Sequence, residues 1–212
     1  MCIRDSNCRV SDLSVSSDNL TFTYEAKSLP YPIDTSYYDN EKHTQADALS
    51  VISFMDEMNY EGLSVSGLSD GYYGLTIGGE FIGRFTAREL ERGINMALLQ
   101  NTPQYKQAMK IRQMNEERWL KERKMREFYW VEYNLMRKTG MLWACDEAAV
   151  DTLRKYRPHD IFLQWNGDLW LQYMHKGIRE DCVNEQQNLV DRIYEQNKPI
   201  PLRIEIKKFT DL

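Results

Sequence analysis

Gly78-Gly79, set between the alternating runs Tyr72–Ile77 and Glu80–Phe85, restricts this chain more than any other feature. Both central positions of a type I′ turn need positive φ, which two glycines supply without steric penalty, so the flanking runs are predicted to form a β-hairpin. Leu75 and Ile82 then share one face and Tyr72, Phe81 and Phe85 the other, and both faces are expected to be covered. Directly afterwards Thr86 and Glu89 compose a capping box, with Glu91 near the positive end. The helix it starts carries Leu90, Ile94, Met96 and Ala97 as its apolar stripe and breaks at Gln100 to Thr102. Thr102 caps a second helix with Pro103 in the first position, where a missing N–H costs nothing. Upstream, Leu63 and Val65 alternate with Ser64 and Ser66, and Gly67 to Gly71 turn the chain.

The flanking segments complete an α+β reading: short antiparallel β-hairpins forming a small sheet, then a long helix and a mainly helical C-terminal part with a terminal edge strand. Val10, Leu13 and Val15 belong to a first strand, Ser16 to Asn19 to a polar turn, and Leu20, Phe22 and Tyr24 to a second strand with one buried face. Pro30 and Pro32 impose an extended crossing, and Tyr37 to Thr44 form a polar loop. Ala48, Val51, Ile52 and Met55 give Gln45 to Met58 an amphipathic helical pattern. The second capped helix is expected to run from Pro103 to about Lys138, ended by Gly140, either packed in its own domain or exposed for self-association. Helices follow from Asp146 to Tyr156 and from Ile178 to Gln196, and Leu202 to Ile206 alternate apolar and charged residues in the manner of an edge strand. Three spans result: residues 1–6, a leader of foreign appearance with true sequence expected upstream; 7–102, β-rich with the capped helix; and 103–212, helical, as a separate domain or as one domain with 7–102.

Composition removes several classes of function. With 42% hydrophobic and 28% charged residues and a net charge of −5, the chain has the balance of a globular protein and no electrostatic reason to bind nucleic acid. The basic residues between Lys106 and Arg137 are interleaved with glutamates, the pattern of a solvated helix face. No apolar run approaches the ~18 residues of a membrane span. The four cysteines, Cys2, Cys8, Cys145 and Cys182, form no CxxC pair. No metal or cofactor is therefore expected, and free thiols are the expectation, with a Cys145–Cys182 disulfide left open.

The string GLSDGYYGLTIGGEFIGRFTARELERGINMALLQNTPQYKQA, from Gly67 to Ala108, resembles the C-terminal region of bacterial SGNH (GDSL-like) hydrolases. The likeness rests on Gly67, Leu68, Gly71, Tyr73, Leu75, Ile77, Gly79, Gly83, Phe85, Glu89, Leu90, Gly93, Asn95, Ala97, Thr102, Pro103, Gln107 and Ala108. Gly78 and Met96 depart from the family's usual Asp and Leu. What the resemblance implies is ester hydrolysis by a serine nucleophile, a histidine base and an aspartate, possible acylated carbohydrate as the parent's substrate, and an upstream catalytic domain as partner. An exported parent would fit, and this chain carries no export signal.

None of that machinery transfers onto these residues, so no catalytic residue is assigned and substrate-binding residues stay open. Arg4-Asp5-Ser6 lacks the glycine of a nucleophile block, Ser64 sits in a strand without a nucleophile elbow, and His43, His159 and His175 have no aspartate three residues upstream. The expectation is a C-terminal accessory part of an SGNH-type esterase, inactive alone. The alternative is a non-catalytic carbohydrate-binding or protein-interaction module using the long helix or the aromatics Trp143, Trp165, Trp170, Tyr156, Phe162 and Tyr173, for which core packing is the plainer role.

Overall fold

The computed structural model describes residues 7–33 and 44–209. The leader Met1 to Ser6, the loop from Tyr37 up to His43, and Cys2 lie outside the described residues. The chain divides into two compact units, one reaching to Arg112 and resuming at Gln196, the other Gln113–Glu195.

The first unit holds β1 (Cys8–Val15), β2 (Asn19–Ala26), α1 (Gln45–Ala48), α2 (Phe54–Glu57), β3 (Gly62–Leu63), β4 (Tyr72–Ile77), β5 (Glu80–Thr86), α3 (Ala87–Arg92) and β6 (Ile94–Asn95). It also contains the start of α4 (Pro103–Val131). The second unit continues α4 through a π-helical turn at Glu132–Met136 and adds α5 (Glu147–Tyr156), α6 (Ile161–Tyr173) and α7 (Lys176–Gln196). The chain then returns to the first unit as β7 (Leu202–Lys208). The α+β class is as expected.

All five long strands join one antiparallel sheet in the order β1-β2-β7-β4-β5. Its register explains its cohesion. Phe22 and Ile77 both oppose Ile204, while Leu20 and Leu75 both oppose Ile206, so the apolar positions of three strands fall on one face. Ile77, Ile204 and Ile206 are almost fully buried there, packed with Leu63, Val65, Leu90 and Met96. Strand β7 lies between β2 and β4 with both edges paired, so its alternation of charge and apolar side chains marks two faces rather than a free edge.

The central hairpin forms as predicted, with Gly78 at φ 59° and Gly79 at φ 85°. Its second face is not covered as expected: Tyr72 and Phe81 are exposed, and Arg84 lies over the Tyr72 ring at 3.9 Å. The capping box is present, Glu89 N–H donating to Thr86 Oγ1 and Thr86 N–H to Glu89 Oε2. That helix is shorter than its apolar spacing suggests. Gly93 takes φ 93° and ends it, and Ile94–Asn95 become a strand paired with Gly62–Leu63.

Two other segments differ from their sequence patterns. Gln45 to Met58 is not one amphipathic helix but two four-residue turns, leaving Val51 83% exposed and burying Met55. In β1, Leu13 and Val15 are exposed, because a register break between Ser11 and Ser14, with Asp12 at φ 54°, turns the outermost strand away from the core.

In the second unit Met125, Phe128 and Val131 of α4 are buried with Leu153, Leu163 and Trp170, so this part of the long helix packs inside its own unit. Asp146 caps α5 as predicted, accepting from the Ala149 N–H. The helix α6, capped by Asp160, was hidden by the aromatic density of its sequence. Glu132, 1% exposed, accepts from the Trp170 indole N–H at 2.8 Å and the Trp143 backbone N–H at 2.9 Å. Cys145 and Cys182 are free thiols. Among the described residues no helix is long and apolar enough to cross a membrane, and no group of His, Cys, Asp and Glu could hold a metal ion.

Candidate functional site

A cavity of about 640 Å³ opens in the first unit between the apolar sheet face and the chain from Met58 to Val65. Its floor is made by the inward side chains of β2 and β7, Leu20, Phe22 and Ile204, and by Met96. Its exposed rim includes Met58, Tyr60 and Ser64. The volume lies within the roughly 300–1,000 Å³ range of small-molecule sites, and the apolar floor faces a polar wall and rim that include Asn7, Ser28, Glu61, Ser64 and Arg92.

The wall is held by amides beside the two-residue β3–β6 pairing. Asn95 Nδ2 donates to the carbonyls of Met55 and Asn59, at 2.9 and 3.0 Å. Its Oδ1 accepts from the N–H groups of Glu61 and Ala97. Asn59, buried, exchanges two hydrogen bonds with the backbone of Tyr31 and so ties the proline crossing to the same wall. Tyr105, in the first turns of α4, does likewise for Ile33, its hydroxyl accepting from the N–H and donating to the C=O. Backbone bonds from Met96 N–H to Glu61 C=O and from Val65 N–H to Leu90 C=O complete the attachment. Segments with only a two-residue ladder are made rigid by side chains that each satisfy two or more backbone groups.

Glu61 is the acid of this wall. Tyr24 Oη donates to its Oε1 at 2.8 Å and Gln104 Nε2 donates to the same oxygen at 3.2 Å. Burial, the largest influence, raises the Glu61 carboxyl above the usual carboxylate range, against the opposing hydrogen bonds from Tyr24 and Gln104. The Tyr24 phenol is pushed well above its ordinary value, first by burial and then by the neighbouring Glu61. A titratable group perturbed by desolvation on the wall of a cleft is a functional candidate on physical grounds.

The residues considered from sequence do not assemble here into a hydrolytic centre. Ser64 is at the rim, and its hydroxyl donates to the Glu91 carbonyl at 3.1 Å. His159 and His175 are exposed residues of the second unit, and His43 is outside the described residues. The aromatics divide: Trp170 and Tyr173 are core, whereas Trp165 is 65% exposed and Trp143 and Phe162 are also exposed. Glu61, Gln104 and Asn59 escaped the sequence reading, and Asn95 entered it only as one position of the family string. Their one visible signal was the polar run Asn59-Tyr60-Glu61 abutting the apolar Leu63 and Val65, and nothing local linked it to residues some forty positions later.

The comparisons with known proteins bear on both units. Residues 109–198 match the family model described as the diltiazem deacetylase C-terminal helical domain. A solved structure, a gut microbial diltiazem-metabolizing enzyme, superposes with a TM-score of 0.90 at 36% sequence identity, covering 98% of this chain and 47% of that enzyme. This chain thus spans about half the length of the enzyme it matches. No curated protein matches. These findings overturn the SGNH assignment and the esterase fragment built on it, and equally the alternative of a non-catalytic carbohydrate-binding or interaction module. The reason is physical. The glycines at positive φ, the Thr86–Glu89 box and the Thr102-Pro103 start are demands of this backbone, and a string of such residues identifies a fold segment, not the nucleophile of a reaction.

Proposed function

We propose that this chain is a substrate-holding part of a deacetylase-type hydrolase, with the first-unit cavity as the place where the acyl-bearing molecule sits. The observation that carries this reading is the 36% identity maintained over 98% of the chain with a diltiazem-metabolizing enzyme. The match of residues 109–198 to the helical domain of diltiazem deacetylase supports it from the other unit. The cavity adds local support, since an apolar floor with aromatic Phe22, Tyr24 and Tyr60 suits an aromatic drug-like substrate.

In this reading the chain contributes binding and orientation, and the nucleophile and its base come from the part of such an enzyme that these residues do not span. Ser64 supports that division, its hydroxyl being engaged by the Glu91 carbonyl rather than by a base. The test is to incubate diltiazem with the 212-residue chain and, separately, with the product of the longest genomic reading frame containing it, following loss of the acetyl group by mass spectrometry. Deacetylation by the longer protein only, with a KM raised several-fold by Tyr60→Ala, is the expected result. Intact diltiazem after incubation with a folded longer protein, or deacetylation by the 212 residues alone, would overturn the proposal.

A further inference from the structure

Trp143 holds a backbone conformation that its side chain resists. Its φ is 65°, in the left-handed region where a bulky residue is strained, and it lies between the π-helical turn and α5. A buried acid holds it there. The Trp143 backbone N–H donates to Oε2 of Glu132, whose other oxygen accepts from the indole N–H of the core residue Trp170. Strain fixed by its surroundings in this way clusters at functional sites. The π-helical turn that supplies Glu132 is a second departure from regular geometry with the same tendency.

What the anchoring displays is an aromatic patch. Trp143, Tyr129 and Tyr133 are 44%, 38% and 46% exposed. The indole centroid lies 6.0 Å from each tyrosine ring and nearly perpendicular to both, and the two tyrosine rings, one helical turn apart, are separated by 6.5 Å. Arg137 borders the patch, its guanidinium 5.9 Å from the centre of the Tyr133 ring. Tryptophan, tyrosine and arginine dominate the energetics of protein interfaces, and rings already packed against one another lose little freedom on docking. A tryptophan serving only the core would be buried, as Trp170 is.

We propose that this patch is the docking surface for the remainder of the enzyme, the part that these residues do not span. The length of chain outside the structure selects that occupant: the match covers 98% of this chain but 47% of the diltiazem-metabolizing enzyme, so more than half of a protein of that kind is left to be packed. The inference rests on the proposed function in taking this chain as part of such an enzyme, but docking can be read without turnover.

Hydroxyl-radical footprinting with mass spectrometry reads the rings directly, by comparing the oxidation of each in the 212-residue chain and in the product of the longest genomic reading frame containing it. Tyr129, Tyr133 and Trp143 are expected to oxidise several-fold more slowly in the longer protein, since interface anchors lie where water is excluded. Trp143→Ala in the longer protein is expected to return Tyr129 and Tyr133 to the rate they have in the shorter chain. Trp143→Gly should do the same with an unfolding midpoint no lower than that of Trp143→Ala, because glycine accepts φ 65° without strain and keeps the N–H on Glu132. Equal oxidation of the three rings in both proteins would overturn the proposal, as would a reading frame no longer than this chain. Protection that already appears in the 212-residue chain and grows with its concentration would also overturn it, by making the occupant a second copy. Protected rings in a longer protein that leaves diltiazem intact would sink the proposed function alone, and deacetylation with the rings still exposed would sink this inference alone.

Discussion

Replacing Asn95 by alanine tests the wall of the cavity directly. Its side chain serves four backbone groups at once: the carbonyls of Met55 and Asn59 and the N–H groups of Glu61 and Ala97. All four contacts are partly buried, so each is set at about 0.75 kcal/mol, in the lower half of the usual net range, and their loss together at about 3 kcal/mol. For a unit of this size that corresponds to a fall in Tm of about 10 °C. Urea unfolding followed by circular dichroism measures it, with the midpoint expected to fall at unchanged slope. Asn95→Asp sharpens the test. Aspartate keeps an acceptor for the two N–H groups but turns a second oxygen toward the two carbonyls, so it should cost at least as much as alanine. A loss below about 1 kcal/mol for Asn95→Ala, or a milder effect for Asn95→Asp, would show that the wall is held by something other than this amide.

Two further substitutions address other parts of the chain. Thr86→Ala removes the cap of α3 and its reciprocal bonds with Glu89, and is expected to cost about 1 kcal/mol in chemical denaturation, with Thr86→Ser recovering most of it. Glu132→Gln puts one amide N–H₂ against either the Trp170 indole N–H or the Trp143 backbone N–H. The expected cost is about 2 kcal/mol, accompanied by a change in tryptophan fluorescence, and an unchanged unfolding midpoint would refute the role given to Glu132.

What the sequence determined by itself is the set of features whose causes lie within a few residues. Gly78-Gly79 predicts its turn because only glycine takes two consecutive positive φ values without strain, and Thr86, Asp146 and Pro103 mark helix starts because their partners are at most three residues away. The periodicity of β2 and β7 told correctly which face is apolar. It could not tell what covers that face. The place of β7 between β2 and β4 depends on pairings over more than a hundred residues, and charged alternation reads the same on a central strand with one open face as on an edge. The exposed Tyr72 and Phe81, the broken helix at Gln45 to Met58 and the early end of α3 are likewise decided by neighbours, since an apolar stripe is an opportunity for packing and not a contact.

The candidate site was the least legible part for the same reason. Tyr24, Glu61, Asn95 and Gln104 are ordinary residues at ordinary spacings, and their chemistry appears only where the fold removes them from water. Local sequence settles backbone conformation, because φ, ψ and capping are short-range. Whether Glu61 carries a proton depends on the burial that the whole unit imposes, and that the tertiary structure alone decides.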